Sequence, residues 1–285
     1  MCTSSKSGAS LATPMPAACP ATQQRTTQVM SDAFKRVERK YLMSTGEFER
    51  LMGLLADRFA PDFYAHSRIS SLYYDTPAFA MIDRSLEKPL YKEKLRVRAY
   101  GTPAPDGVVY VELKKKFDGV VYKRRVGMTS PASRAFLAGM PYEQAVASFP
   151  LADAALQEAS LAPKALQIAR EIRACCERWE GLHPAMMIVV ERDALHSIDG
   201  SDVRLTFDHS PRWRTDNLSF SADANGQELM PGQVLMEVKC LGAYPLWLAH
   251  LLTRERLYSQ PCSKYGRAYQ TIGRTLLVQK GSLDA

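Results

Sequence analysis

From residue 34 onward two periodicities share the chain. FKRVERKYLM (34–43) sets Arg36, Glu38 and Lys40 on one side with Val37 between them, a strand pattern. Ser44 then opens a capping box with Glu47, and Phe48, Leu51, Leu55 and Phe59 recur at helical spacing. That span predicts an amphipathic helix of about four turns. RISSLYYDT (68–76) reads as a strand ending at Pro77, and LYKEKLRVRAYG (90–101) as another, with Lys94, Arg96 and Arg98 opposite Leu95 and Val97. VYVELKKKFDGVVYKRRV (109–126) predicts a hairpin turned at Asp118-Gly119. One of its faces carries Glu112, Lys114, Lys116, Lys123 and Arg125, and the other Val111, Leu113 and Val126.

Residues 131–182 change period. Pro131 begins a helical region, SRAFLAGM, PYEQAVASF and then ALQIAREIRACCERWEG, with Gly181 as its C-cap. Strands resume in AMMIVVERDALHSI, in DVRLTFDHSPRWR with Arg204, Thr206 and Asp208 in phase, and in QVLMEVKCLG with Glu237 and Lys239 in phase. A helix, YPLWLAHLLTRERLY, leads to CSKYGRAYQTIGRTLL, a loop that continues as a helix. Residues 1–32, rich in Ser, Thr, Pro and Ala, read as a disordered tail, and 33–285 as a single domain with 131–182 as its helical insert. Met30, directly before SDAFKRVERKYL, offers a second start.

Composition fits a folded globular protein, with 46% hydrophobic and 24% charged residues in 285. The formal charge of +7 points to an acidic partner: nucleic acid, an anionic membrane or a phosphate-rich molecule. The pattern of charge chooses among them. Six cysteines, Cys2, Cys19, Cys175, Cys176, Cys240 and Cys262, form no CxxC pair and read as idle thiols in a reducing cytoplasm. No apolar run approaches the roughly 20 residues of a membrane span, and the N-terminus lacks a signal-peptide core, so a soluble cytoplasmic protein is expected.

The in-phase charges are one-signed. Lys40, Lys94, Arg96, Arg98, Lys114, Lys116, Lys123, Arg125, Arg204 and Lys239 are basic, against Glu38, Glu112 and Glu237, with Asp208 less regular. Solvated sheet faces mix signs and use Ser, Thr and Gln. These run basic strand after basic strand and include arginine, which suits bidentate phosphate recognition. The pattern therefore predicts a sheet rolled into a closed antiparallel β-barrel of about eight strands, an α+β fold with its polar face inward and helices over its apolar outside. So many enclosed cations require a polyanion. The three glutamates and phosphate oxygens together would offer hard-oxygen ligands to Mg²⁺ or Mn²⁺.

RVERKYL, SLYYDT, KLRVRAYG, VELKKK, YKRR, VRLTFD, LMEVK and CSKYGRAY, taken in order, resemble the polyphosphate-polymerase (VTC) domain of the vacuolar transporter chaperone family and its bacterial relatives. That domain belongs to the triphosphate tunnel metalloenzyme superfamily, and the resemblance spans residues 34–270. It implies a β-barrel tunnel in which inward Lys and Arg hold a triphosphate chain. It also implies transfer of the γ-phosphoryl group of ATP onto polyphosphate, or onto a pyrophosphate primer.

Carried over by position, Lys40, Lys94, Arg96, Arg98, Lys114, Lys116, Lys123, Arg125 and Arg204 would hold phosphates. Glu237 would be the principal metal ligand, assisted by Glu112 or Glu38. Lys239 and Lys264 would sit near the acceptor end with Ser263 and Tyr265 beside the latter, and Arg96, Arg98, Lys239 and Lys264 would be catalytic. The hydrolase and cyclase branch opens with Glu-x-Glu-x-Lys, whereas this chain has Arg36-x-Glu38-x-Lys40, as in the polymerase branch. The SPX domain and membrane helices of eukaryotic members are missing from the sequence, which leaves a membrane partner open.

A phosphate acceptor is its own nucleophile, so no general base is required, and His66, His183, His196, His209 and His250 read as surface or core histidines. Asp75 and Asp208, at strand ends, read as structural hydrogen-bonding groups at least as readily as metal ligands, and Tyr73, Tyr74 and Tyr100 as packing in preference to stacking on adenine. Two other functions suit the same residues: a tripolyphosphate or nucleoside-triphosphate hydrolase, and a non-catalytic polyphosphate-binding module. Nucleic acid is not expected, because cations buried in a barrel make no exposed stripe with interleaved aromatics.

Overall fold

The computed structural model describes residues 36–220 and 225–281. The expected tail, with Cys2 and Cys19, lies outside them. The chain runs β1 (Arg36–Ser44), α1 (Thr45–Leu55), β2 (Phe59–Asp75), α2 (Ala80–Leu86), β3 (Tyr91–Tyr100), β4 (Val108–Phe117) and β5 (Val120–Thr129). The helical insert follows as α3 (Ser130–Leu137), α4 (Tyr142–Ser148), α5 (Ala154–Leu161) and α6 (Pro163–Arg178). Then come β6 (His183–Ser197), β7 (Arg204–Arg214), β8 (Gln227–Glu228), β9 (Gln233–Leu241), α7 (Leu246–Arg254) and α8 (Lys264–Gly281).

Local chemistry sets the boundaries. Ser44 and Glu47 form the capping box at α1: Glu47 N–H donates to Ser44 Oγ at 3.3 Å and Ser44 N–H to Glu47 Oε2 at 2.7 Å. Asp118 and Gly119 turn the β4–β5 hairpin with φ of 42° and 81°, and Phe117 pairs with Val120 across this two-residue loop. Both loop residues need positive φ, which Asp tolerates and Gly adopts freely. α2 has no counterpart in the sequence reading. Its N-terminus is organised by Asp75, whose carboxylate accepts from Met81 N–H at 2.8 Å and Ile82 N–H at 3.1 Å.

One antiparallel sheet runs in the order β1-β9-β7-β6-β2-β3-β4-β5, with β8 paired to β7. The α+β class is as expected, but the barrel does not close. Among the described residues no ladder joins β5 to β1. The sheet curls far enough for Glu38 and Lys40 on β1 to share a cavity with Lys114 and Lys123 on β4 and β5.

The outer face is apolar and covered. Leu95, Val97, Val111, Leu113, Val126 and Met128 pack with Phe136, Val146 and Ile172 of the insert. Tyr41, Met43, Phe207 and Met236 pack with Leu51 and Leu55 of α1 and Leu248 and Leu252 of α7. The inner face corrects a second expectation. Over β2 and β6 it is apolar, and α8 lies against it instead of covering the outside: Ile69, Tyr73, Met186, Ile188 and Val190 cluster with Ile82, Tyr265 and Ala268. No helix among the described residues is long and apolar enough to cross a membrane.

Candidate functional site: a cation-lined cavity

The inner face and the start of α8 enclose a cavity of about 990 Å³, lined by twelve Lys and Arg side chains and four carboxylates. Strand registry makes the crowding unavoidable. Lys94 pairs with Lys114 and Lys114 with Lys123, so three lysines stand side by side across β3, β4 and β5. Such pairs destabilise a sheet unless something of opposite charge lies against them.

Three carboxylates neutralise part of the charge. Glu112 is 1% exposed and meets Arg96 Nη2 at 2.7 Å, Lys123 Nζ at 2.7 Å and Arg98 Nε at 3.7 Å. Burial would raise its pKa, but these three cations outweigh burial and hold it down to about 2. Glu237 takes Lys40 Nζ at 2.9 Å on one oxygen and Lys239 Nζ at 3.0 Å on the other, and Arg192 approaches at 3.8 Å. Its pKa lies well below the carboxylate range, because Lys239, Lys40, Lys264 and Arg192 overcome its burial. Asp208, fully buried, takes a bidentate Arg192 at 2.5 and 2.8 Å and the ammonium of Lys264.

The remaining cations are undercompensated. Lys94 donates to the neutral Ser263 Oγ at 3.0 Å. Burial, with Lys92, Lys114 and Arg96 nearby, brings Lys94 down to about 8. Desolvation also lowers Lys114, helped by Lys40 and Arg96 and opposed by Glu38. Tyr73 answers the same field. Burial raises its phenol, but Arg96, Arg98 and Lys94 outweigh that and bring it to about 8, and Arg96 Nη1 donates to its hydroxyl at 3.0 Å. A cavity that pushes protons off its own lysine and tyrosine has an unmet need for negative charge.

Most residues singled out in the sequence converge here: Lys40, Lys94, Arg96, Arg98, Lys114, Lys116, Lys123, Ser263, Lys264, Glu38 and Glu237 all line the cavity. Lys239 reaches its edge through Glu237. Two expected phosphate ligands do not line it. Arg204, half exposed, is held by the Asp62 carboxylate, and Arg125 lies over the Tyr110 ring with its Cζ 4.8 Å from the centroid. Glu112 also departs from its expected place, because its oxygens are engaged by arginine and lysine rather than grouped with Glu38 and Glu237.

Arg192, Lys92 and Asp208 contribute more than the sequence suggested. Arg192 sits in Glu191-Arg192-Asp193, where alternation gives no face. A register shift between Val189 and Glu191 in the β6–β7 ladder accompanies the change from Ile188 and Val190 to Arg192 along the inner side. Lys92 was legible, being in phase with Lys94, Arg96 and Arg98.

Among the described residues no group of three or more His, Cys, Asp or Glu side chains could hold a metal ion. Glu38 and Glu237 nonetheless share Lys40 Nζ, at 2.5 and 2.9 Å, and so bring two carboxylates together. Magnesium-type cations are commonly held by one or two carboxylates plus substrate phosphates, and this pair fits that donor set.

The VTC domain family model matches residues 35–272. No curated protein matches the chain. Among solved structures, a candidate adenylate cyclase from Bacillus halodurans is 13% identical, with a TM-score of 0.42 over 80% of this chain and 93% of that one. A Pyrococcus horikoshii protein is 12% identical, with a TM-score of 0.40 over 83% and 99%. A candidate adenylyl cyclase from Hippeastrum, described as having a dominant triphosphatase activity, is 13% identical, with a TM-score of 0.41 over 81% and 93%.

Proposed function

This chain belongs to the VTC domain family, and from that premise we propose that it is an ATP-dependent polyphosphate polymerase. The observation that carries the reading is the cavity's charge: twelve cations against four lining carboxylates, with Glu112 behind them. A triphosphate or polyphosphate chain is the ligand class that removes this imbalance.

In the proposed reaction a terminal phosphate oxygen of the acceptor attacks the γ-phosphorus of ATP. A new P–O bond forms, the bond to the β-phosphate bridging oxygen breaks, and ADP leaves with that electron pair. The attacking oxygen is already ionised near neutral pH, so position and charge neutralisation are what the protein supplies. Arg96 and Arg98, oriented by Glu112, would face the transferred phosphoryl group. Lys40, Lys94, Lys114, Lys116 and Lys123 would hold the flanking phosphates. Lys264, fixed by Asp208, and Lys239, fixed by Glu237, would receive the acceptor chain. Glu38 and Glu237 would hold a divalent ion, Mn²⁺ or Mg²⁺, which supplies further charge neutralisation at phosphate oxygens.

The test is incubation with ATP and Mn²⁺ or Mg²⁺, with and without pyrophosphate primer, and separation of products on a gel. A polyphosphate ladder that disappears in Glu237→Ala is the expected result. Orthophosphate release without polymer assigns the cavity to hydrolysis. Tight polyphosphate binding without turnover makes the protein a binding module.

A further inference from the structure

The tip of the β4–β5 hairpin departs from the rest of β3, β4 and β5, where one face is apolar and covered by helices. At the tip Phe117 is 51% exposed, Val120 53%, Val121 50% and Tyr122 45%, and neighbouring Leu90 is 63% exposed. Leu90 is tied to the turn, its carbonyl accepting from Asp118 N–H at 3.0 Å. Along β5, Val121 is in phase with the cavity-lining Lys123, whereas Val120 and Tyr122 are in phase with Val126 of the outer core. The tip is therefore apolar on both sides, and no packing against one body can bury both. Contiguous apolar surface of this kind marks an interaction site.

Charge identifies the occupant. Lys88, Lys92 and Lys116 line the cavity beside Val121, and Lys88 and Lys116 act on Lys92 closely enough to lower its pKa, after the effect of burial. Behind them Lys115 and Arg124 share Glu171. Apolar side chains ringed by lysines complement an anionic lipid surface, which takes the rings and methyl groups at its acyl boundary and the ammonium groups at its phosphates.

We propose that the β4–β5 tip, with Leu90, is a membrane-surface anchor that seats the cavity mouth on an anionic bilayer. Phe117, Val120 and Tyr122 enter the interfacial layer, and Lys88 and Lys92, which hold no phosphate in the proposed reaction, meet the headgroups. Phe117, Val120 and Tyr122 are not part of the cavity lining, so the proposal stands whether the cavity polymerises, hydrolyses or only binds.

Flotation of the full chain with vesicles of phosphatidylglycerol and phosphatidylcholine, against phosphatidylcholine alone, tests it. Binding to the anionic vesicles is expected, with apparent affinity falling roughly tenfold or more in Phe117→Ser/Val120→Ser, since apolar burial supplies part of the attraction. Tripolyphosphate affinity should be unchanged in that variant, which also verifies its fold. No flotation with anionic vesicles overturns the proposal. So does undiminished flotation of the variant, which would mean charge alone. Concentration-dependent self-association that the same substitutions abolish would assign the tip to a second copy of the chain and equally overturn it.

Discussion

The Tyr265 hydroxyl donates to Asp75 Oδ2 at 2.7 Å, across 190 residues of chain. Asp75 is fully buried and also accepts from the backbone of Thr76, Met81 and Ile82, so one carboxylate ties the end of β2, the first turn of α2 and the first turn of α8. Tyr265 stacks on Tyr73 with ring centroids 4.3 Å apart, and Tyr73 in turn meets Arg96. Because Ser263 and Lys264 immediately precede Tyr265, this bond fixes how α8 presents them to the cavity.

Tyr265→Phe keeps the ring and removes the donor. The lost hydrogen bond should cost about 1 kcal/mol, lowering Tm by roughly 2–4 °C. The rate of phosphoryl transfer should fall about tenfold or more through misplacement of Lys264, with triphosphate affinity little changed. Differential scanning calorimetry and steady-state kinetics check this. An unaltered rate alongside the Tm loss would reduce the contact to a purely structural one.

Glu112→Gln leaves Arg96, Arg98 and Lys123 without their buried counter-charge. Breaking a buried pair on one side typically costs ~3 kcal/mol or more. A marked drop in Tm is expected, and tripolyphosphate should raise the Tm of this variant more than that of the unaltered protein, because the ligand then supplies the missing charge. Equal ligand-induced shifts in the two proteins would contradict this role.

Arg204 and Arg96 look equivalent in the sequence, each the basic member of an alternating strand. The structure separates them, Arg204 on Asp62 and Arg96 in the cavity. Calorimetric titration with tripolyphosphate should give a change of less than about twofold for Arg204→Ala, since it removes a half-exposed pair outside the cavity. Arg96→Ala should weaken binding by about tenfold or more, the scale of a lost charge-assisted contact. The reverse order would place the polyanion elsewhere.

What could be read from sequence divides along physical lines. Alternation located β3, β4 and β5 and the facing of Arg96, Arg98, Lys114 and Lys123, because side-chain period in a strand is fixed by backbone geometry. The Ser44 capping box and the Asp118-Gly119 turn were legible because each satisfies local requirements with local residues. Closure was not legible. It depends on whether two edges separated by most of the chain meet, and no local pattern encodes that. Arg192 was hidden by three successive charges, and Arg204 by the unforeseen reach of Asp62 from β2. The inward seat of α8 was missed because an amphipathic helix carries no mark of which face of a sheet it will cover.

Polyanion binding should weaken as pH rises through about 8. Lys94, at about 8, loses its charge there, and Tyr73, also near 8, gains a negative one, so both changes oppose a phosphate chain. Arg96 faces the same space and its guanidinium stays charged, so binding should persist at reduced strength. For stability the sign is opposite. Between the folded value of Lys94 near 8 and its ordinary value, the unfolded chain holds more protons, so this lysine adds stability as pH rises across that window. Titrations at several pH values with Lys94→Arg and Tyr73→Phe should show a flattened affinity step in each variant. A step identical to that of the unaltered protein in both would remove these two groups from the account.

The most direct measurement is a crystal structure with tripolyphosphate bound. The chain of phosphates should lie along the inner face between Lys40, Lys94, Arg96, Arg98 and Lys114, with its end toward Ser263 and Lys264. A phosphate chain on the outer surface, or a cavity left empty while binding occurs elsewhere, would contradict the account.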